Sequence, residues 1–136
     1  MVQKNILVSI LINNYNNRLY INKCIESCLV QSYKNLEIVI YDDNSNDGSQ
    51  KIIKKIKDKR VKKIFNKKKL YKTGALNQLE GIYKSVNKSK GEIIFLLDGD
   101  DFFLKNKISY IINLFKKDKN LNFIKDSPYY FFPDKN

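Results

Sequence analysis

The chain has 136 residues, enough for one domain that buries roughly two-thirds of the surface its unfolded chain would expose. Basic residues number 26 against 14 acidic ones, for a formal charge of +12, yet only Arg18 and Arg60 are arginine. Because specific base reading favours the bidentate arginine fork, this composition argues against nucleic-acid binding. The chain has no histidine, which excludes Ser-His and Cys-His catalysis, histidine-based zinc sites and a histidine general base.

The first predicted elements are a buried strand and an amphipathic helix. The continuous apolar run from Asn5 to Ile12 predicts a strand covered on both faces, and the polar run from Asn13 to Asn17 predicts a loop. A helical stripe follows, formed by Ile21, Cys24, Ile25, Cys28 and Leu29. We therefore expect the two cysteines to pack in the core.

The middle of the chain repeats this alternation. A second strand is predicted from Glu37 to Tyr41, followed by a helix that Asp47 or Ser49 can cap. The inward positions of that helix are Ile52, Ile53 and Ile56. A third strand is predicted from Val61 to Phe65, with an exposed basic loop from Asn66 to Tyr71.

The last third of the chain predicts two more helices and two more strands. Thr73 can cap a helix from Gly74 to Val86 whose inward positions are Leu76, Leu79, Ile82, Tyr83 and Val86. A strand then ends at Asp98, and the next helix has the apolar positions Ile108, Ile111, Ile112 and Phe115. A short final strand is predicted from Leu121 to Ile124. The alternation predicts a three-layer αβα sandwich with a mostly parallel sheet.

Two acidic clusters follow apolar strands. Asp98, Asp100 and Asp101 surround one glycine after the fourth strand, and Asp42 and Asp43 end the second. Each cluster alone is also typical of a turn or a helix cap. Because parallel strands bring their carboxyl ends to one edge of a sheet, we expect both clusters in one crevice. Crowded carboxylates favour a divalent cation, which indicates a phosphorylated ligand.

With these motifs in view, the chain resembles the amino-terminal, nucleotide-sugar-binding half of a family 2 glycosyltransferase of the GT-A, Rossmann-like fold. The resemblance runs from about Asn5 to Phe115. Its marks are the segments Val8 to Asn16, Gln31 to Ser45, Asp47 to Ser49, Gly74 to Asn77 and Gly91 to Asp101. Each segment is a weak signal by itself, and their order and spacing together are specific.

The resemblance implies roles for residues after the first two strands. Asn13 and Tyr15 would line the pocket for the base, with Tyr15 stacking on it. Asp43 would contact the base or the ribose. Asp42 would either contact the nucleotide as well or hold the loop in place. A loop with local hydrogen bonds is the alternative interpretation of Asn13 and Tyr15.

The resemblance also implies a metal site. Asp98 and Asp100 occupy the Asp-x-Asp motif: Asp100 would bind Mn²⁺ or Mg²⁺ directly, and Asp98 would lie nearer the ribose or a metal-bound water. Asp101 would cap a helix or support the site. Lys72 would reach the diphosphate of the donor.

The implied activity is inverting transfer of a sugar from a nucleotide-diphosphate sugar to a saccharide or lipid-linked acceptor hydroxyl in glycan or polysaccharide biosynthesis. Residues 1–125 would form the donor domain, and residues 126–136 an aromatic tail that packs on the sheet, mediates self-association or begins a missing acceptor half. The catalytic base is expected beyond this chain. With no membrane-spanning run or signal cleavage site, we expect a cytoplasmic protein, peripheral at the inner membrane face.

Two alternatives stay open. One is a truncated, non-catalytic nucleotide-binding module of the same fold. The other is a phosphohydrolase of the haloacid dehalogenase type, which also places Asp-x-Asp after an apolar strand. In those enzymes the motif usually follows the first strand, whereas here it follows a late one. A dinucleotide-binding domain is disfavoured because no Gly-x-Gly-x-x-Gly follows the first strand.

Overall fold

The computed structural model describes residues 5–127. Four strands form one sheet: β1 Val8–Asn14, β2 Leu36–Asp42, β3 Val61–Phe65 and β4 Ile93–Asp98. All pairs are parallel and the order is β3-β2-β1-β4, which confirms the predicted α/β class with a parallel sheet. The helices are α1 Ile21–Leu29, α2 Ser49–Lys55, α3 Gly74–Lys88 and α4 Lys107–Lys117. Among residues 5–127, none of the helices has the length and the apolar composition that a membrane span requires.

The main hydrophobic core lies on one face of the sheet, under α1, α2 and α4. Its fully buried side chains include Ile10 and Ile12 of β1, Ile25 of α1, Ile53 of α2 and Ile108 of α4. Both cysteines are buried in it, as predicted, at 1% and 0% exposure. Burial raises the pKa of the Cys28 thiol to about 12, so it behaves as a packing residue and not as a nucleophile.

Helix α3 lies on the opposite face and turns its polar side inward, contrary to the prediction. Its buried residues are Asn77, Gly81 and Ser85, whereas Leu76, Leu79, Tyr83 and Val86 are exposed. Gly81 explains the orientation, because a Cβ there would lie 2.4 Å from Asn13 Oδ1 and 2.5 Å from Tyr41 Cδ1. Only a residue without a side chain allows the helix to approach the sheet this closely.

The end of β1 and the cap of α2 differ from the prediction. Asn13 and Asn14 belong to β1, where they pair with Tyr41 and Asp42 of β2, so the predicted loop begins two residues later. The residue that precedes α2 as its cap is Gly48, at φ 99°, although the Asp47 carboxylate still accepts a hydrogen bond from Ser49 N–H.

The predicted final strand is absent from the described part of the chain. A turn at residues 119–120 precedes it, where the Asp118 side chain accepts a hydrogen bond from Asn120 N–H at 2.9 Å, and residues 121–127 form no regular secondary structure. Phe123 is 76% exposed, so the segment has no strand neighbour that would cover alternate side chains. The predicted aromatic tail, residues 128–136, lies outside the described residues.

The buried carboxylate of Glu37 makes the stability of the fold depend on pH. It is 8% exposed, and it accepts hydrogen bonds from Ser9, from the Lys62 ammonium at 2.6 Å and from Lys90 N–H. Burial acts to raise the pKa of this carboxyl, but the hydrogen bonds from Lys62, Ser9 and Lys90 outweigh it and lower the pKa below 4.5. The charged form is therefore the one that stabilises the fold.

We expect stability to be full above about pH 4.5 and to fall as the pH drops through the lowered folded-state pKa. Glu37→Gln should lower the free energy of unfolding at pH 7 by about 1–3 kcal/mol and flatten this acid-induced loss. Urea unfolding at pH 7 and pH 3 measures both effects. Equal acid sensitivity in the two proteins would contradict the assignment.

Candidate functional site

A cleft of about 280 Å³ opens at the carboxyl edge of the sheet. The register places Asn13 beside both Tyr41 and Asp98, so the ends of β1, β2 and β4 meet there. Its lining residues are Asn13, Asn14, Tyr15, Asn17, Asp43, Lys69, Gly74, Asn77, Gln78, Asp98 and Asp100. One member of the first predicted acidic cluster, Asp43, and two of the second, Asp98 and Asp100, therefore line the same cleft, as expected from parallel strands.

Backbone hydrogen bonds hold the floor of this cleft beyond the strands themselves. Asp43 N–H donates to Asn14 O at 2.9 Å, Gly99 N–H donates to Asn13 O at 2.8 Å, and Asn66 N–H donates to Asp42 O at 2.8 Å. The sheet ladder thus continues past each strand end, directly under the acidic side chains.

The end of β1 supplies an amide and an aromatic ring. Asn13 Nδ2 donates to the Gln78 carbonyl at 3.0 Å, which ties β1 to the first turns of α3. Tyr15 is 46% exposed, and the Lys69 ammonium lies 3.1 Å from its ring centroid. A cation and an accessible ring therefore stand together at one end of the cleft.

Two neighbouring carboxylates at the end of β2 have different surroundings. Asp42 is fully buried and accepts hydrogen bonds from Asn14 Nδ2 at 2.7 Å, Gln50 Nε2 at 2.7 Å and Ser45 N–H at 3.0 Å. Asp43 lines the cleft and accepts from Asn66 Nδ2 at 2.9 Å. Asp42 holds the loop, and Asp43 is the carboxylate that a ligand can reach.

Asp42→Asn should destabilise the fold, because an amide nitrogen would replace an acceptor oxygen in a site with three donors. We expect a loss of about 2 kcal/mol in the free energy of unfolding, measured by urea denaturation. Asp43→Asn is the matched control: it disturbs one such hydrogen bond and should cost less. A larger loss in the control would contradict the division of tasks between these residues.

The end of β4 carries the Asp-x-Asp motif. Asp98 accepts a hydrogen bond from Gln78 Nε2 at 2.8 Å, and Asp98 and Asp100 both line the cleft. Gly99 between them fits where a side chain would not, since a Cβ would lie 2.7 Å from Asn14 Oδ1. Burial, followed by the negative charges of Asp100 and Asp98, raises the pKa of the Asp101 carboxyl.

The donor set suits a divalent cation that is shared with a ligand. Within residues 5–127, no group of three or more His, Cys, Asp or Glu side chains forms a metal cage by itself. Mg²⁺ and similar hard cations are often bound by one or two carboxylates plus substrate phosphates. The cleft-lining carboxylates Asp98 and Asp100 match that chemistry, and the remaining ligands would come from a diphosphate.

The sequence over residues 9–135 matches the family described as Glycosyl transferase family 2. The chain belongs to this family. Among its relatives is Escherichia coli WfaP, described as UDP-Glc:alpha-D-GlcNAc-diphosphoundecaprenol beta-1,3-glucosyltransferase, with 41% identity over 113 residues that cover 83% of this chain and 43% of WfaP. This family 2 chain spans less than half the length of the curated relatives it matches.

Solved glycosyltransferases share the fold of this family 2 chain. Staphylococcus aureus TarS residues 1–349 in complex with UDP superimpose with a TM-score of 0.69 at 19% identity, over 82% of this chain and 32% of that one. Pyrobaculum calidifontis mannosyltransferase PcManGT, in complex with GDP-Man and Mn²⁺, gives 0.65 at 16% identity, over 79% of this chain and 32% of that one.

The family 2 cleft contains most, but not all, of the residues selected from the sequence. Asn13, Tyr15, Asp43, Asp98 and Asp100 line it together. Asp42 and Lys72 do not: Asp42 is buried behind the loop, and Lys72 is an exposed residue before α3. The lysine that does line the cleft is Lys69.

Gln78 was not selected from the sequence, although it hydrogen-bonds the first aspartate of the motif. In the sequence, a functional glutamine in an amphipathic helix cannot be distinguished from an ordinary solvent-exposed glutamine. Lys69 stood in a run of three lysines within the predicted basic loop, so only the fold could single it out.

Proposed function

We propose that this family 2 glycosyltransferase chain binds a nucleotide-diphosphate sugar in the cleft at the carboxyl edge of the sheet and forms the donor half of a sugar-transfer site. The observation that carries the proposal is the meeting of Tyr15, Asp43 and the Asp98–Asp100 pair in one cleft. Such a ligand needs three kinds of group. These are an aromatic ring for the base, a hydrogen-bond acceptor for N–H or O–H groups of the base or ribose, and carboxylates that bind a cation.

The nucleoside would lie at the Tyr15 and Asp43 end. The exposed Tyr15 ring can stack on a base, as aromatic side chains do in nucleotide recognition. Asp43 can accept hydrogen bonds from base N–H or ribose hydroxyl groups, and Asn13 is held beside it by Gln78. Among donors, a UDP-sugar is the first candidate, because the named donor of the WfaP relative is UDP-Glc.

The diphosphate would lie between Lys69 and the Asp98–Asp100 pair. Gly74, Asn77 and Gln78 of the first turns of α3 also line this part of the cleft, and backbone N–H groups at a helix N-terminus favour anions. Asp100, with Asp98, would hold Mn²⁺ or Mg²⁺. When bound there, the cation neutralises charge on the departing nucleoside diphosphate.

Our proposal for the acceptor and for the course of the reaction is based on the family to which the chain belongs. We propose transfer with inversion to a saccharide or lipid-linked hydroxyl in polysaccharide biosynthesis, with the general base supplied from outside this chain. Lipid-linked acceptors are named for relatives such as WfaP. The charge of +12 would favour peripheral binding to an anionic inner membrane face from the cytoplasm.

A thermal-shift titration tests the donor site. UDP, GDP, CDP and dTDP are added to the chain separately, each with Mn²⁺ and each with EDTA. Ligand binding to the folded state should add about 2.7 kcal/mol of stability at a hundredfold excess over the dissociation constant. We expect a metal-dependent rise in Tm with one nucleotide, and UDP is the first candidate.

The two alternatives from the sequence give different results. A phosphohydrolase would release phosphate from a phosphomonoester and show no preference among the four nucleotides. A non-catalytic module would bind a nucleotide but would not transfer sugar even when joined to the acceptor half of a relative. Absence of a shift with every nucleotide would overturn the proposed donor site.

A further inference from the structure

Nearly all of the net charge of the chain comes from one segment. Residues 51–72 contain 12 of the 26 basic residues but only one of the 14 acidic residues, Asp58, so they account for +11 of the formal charge of +12. The other 114 residues are nearly balanced, with 14 basic and 13 acidic residues. A general bias toward lysine would spread the charge along the chain, so the charge is a property of this segment.

The fold places the segment along one edge of the molecule. It runs from α2 through β3, which is the edge strand of the sheet, into the loop before α3. We call this surface the basic β3 edge and define it by its exposed lysines, which are Lys51, Lys54, Lys55, Lys57, Lys59, Lys67, Lys68, Lys69 and Lys72. Helix α3 extends it with Lys84 and Lys88, which line a groove of about 420 Å³ together with Lys63.

The carboxylates beside the basic β3 edge do not neutralise it. Three of them are already paired, in the ion pairs Glu37–Lys62, Asp58–Arg60 and Glu80–Lys84. Asp43 faces the cleft and Asp47 accepts a hydrogen bond from Ser49 N–H. Within residues 5–127, none of the nine exposed lysines forms an ion pair with a carboxylate. Their charge is therefore available to an anionic partner.

Protection of the edge strand does not explain these lysines. Lysines on an edge strand prevent its pairing with other sheets, and Lys62 and Lys63 of β3 can do so. The nine exposed lysines all lie outside β3, in α2 and in the loops on either side of the strand.

The loop at residues 67–72 combines lysines with exposed apolar side chains. Between Lys69 and Lys72 lie Leu70, which is 51% exposed, and Tyr71, which is 43% exposed. Lysines attract anionic headgroups, and apolar side chains beside them enter the boundary between headgroups and acyl chains. Nucleic acid favours arginine, but the only arginine of the segment, Arg60, is paired with Asp58. The combination favours an anionic bilayer.

We propose that the basic β3 edge binds an anionic lipid bilayer, with the loop at residues 67–72 in contact with the headgroups. The consequence for sugar transfer rests on the proposed function. Lys69 of this loop lines the donor cleft, so docking would hold the mouth of the cleft at the bilayer surface. The hydroxyl of a lipid-linked acceptor would lie at that surface.

Vesicle co-sedimentation of this chain tests the proposal. We expect binding to vesicles that contain phosphatidylglycerol and none to pure phosphatidylcholine, with an affinity that falls as added salt screens the charges. Lys67→Gln combined with Lys68→Gln should weaken binding about thirtyfold, because each lysine near an anionic surface strengthens binding about fivefold. Neither residue lines the cleft, so nucleotide binding should not change.

Lys117→Gln combined with Lys119→Gln is the matched control. It removes the same charge from two exposed positions at and beyond the end of α4 and should leave vesicle affinity nearly unchanged. An equal loss in the two double variants would show that only the net charge acts, which would overturn the proposal. No binding of the unmodified chain to phosphatidylglycerol vesicles would overturn it as well.

A fluorescent label sensitive to polarity tests which surface meets the bilayer. It is attached to Leu70→Cys, and to Tyr110→Cys on α4 as the control, since Tyr110 is also exposed, at 63%. The native Cys24 and Cys28 are buried and should not react. Phosphatidylglycerol vesicles should shift the emission to the blue at Leu70→Cys alone. No shift there, or an equal shift at both positions, would overturn the proposal.

The outcomes separate this proposal from that of the donor site. A rise in Tm with a nucleotide but no vesicle binding would overturn the bilayer proposal and leave the donor site standing. Vesicle binding without any response to nucleotides would overturn the donor site alone. Binding to single-stranded DNA without binding to phosphatidylglycerol vesicles would identify nucleic acid as the partner and overturn the bilayer proposal.

Discussion

Asp100→Ala is expected to abolish the metal-dependent part of nucleotide binding. Asp100 lines the cleft beside Asp98, and in the proposed site its carboxylate is the direct cation ligand. Removing it should weaken binding of the nucleoside diphosphate in the presence of Mn²⁺ by about a hundredfold, equivalent to about 2.7 kcal/mol. Binding measured with EDTA should change little. Isothermal titration calorimetry with and without Mn²⁺ gives both values.

Asp118→Ala is the control for the change in charge. Like Asp100→Ala, it removes one exposed carboxylate. Asp118, however, lies at the end of α4 and does not line the cleft. It should leave the Mn²⁺-dependent affinity unchanged. If Asp100→Ala keeps the full effect of Mn²⁺, the assignment of this residue to the cation is wrong.

Gly81→Ala is expected to destabilise the protein strongly, although it adds only one methyl group. The new Cβ would lie 2.4 Å from Asn13 Oδ1 and 2.5 Å and 2.8 Å from two carbons of the Tyr41 ring. Overpacking of this kind typically costs about 1–3 kcal/mol, which corresponds to a fall in Tm of about 10 °C at its upper end. Because Asn13 lines the cleft, nucleotide affinity should fall as well. Differential scanning calorimetry and the nucleotide titration measure the two effects.

Gly74→Ala is the matched control in the same helix. A Cβ at Gly74 meets no atom within 4 Å, and alanine is the better helix former by about 1 kcal/mol. This variant should keep or slightly raise the Tm. Similar behaviour of the two variants would show that α3 can move away from the sheet without cost.

The sequence predicted the elements that obey simple burial rules. Strands β1 and β2 are rich in buried Ile, Leu and Val, and the α1 stripe around Cys24 and Ile25 packs on the core as the helical period requires. The acidic clusters that include Asp43, Asp98 and Asp100 were predicted to share one edge, because the carboxyl ends of parallel strands meet there. These features depend on local pattern and chain order alone.

The orientation of α3 could not be predicted in this way. Its apolar stripe suggested that Leu79 and Tyr83 face the sheet, but the close approach of Gly81 to Asn13 and Tyr41 places the polar side inward. Periodicity shows which side of a helix is apolar, and it cannot show which of two layers that side faces. The role of Gln78 was hidden for the same reason.

The hydrogen bonds that extend the sheet under the cleft also affect how a ligand would bind. Asp43 and Gly99 donate to Asn14 and Asn13 just past the strand ends, so the backbone beneath the acidic side chains is already ordered before any ligand arrives. Little conformational entropy would then be lost at the floor on binding. Most of the ordering would fall to the exposed loop that carries Lys69, and this loop would therefore govern how fast a nucleotide leaves.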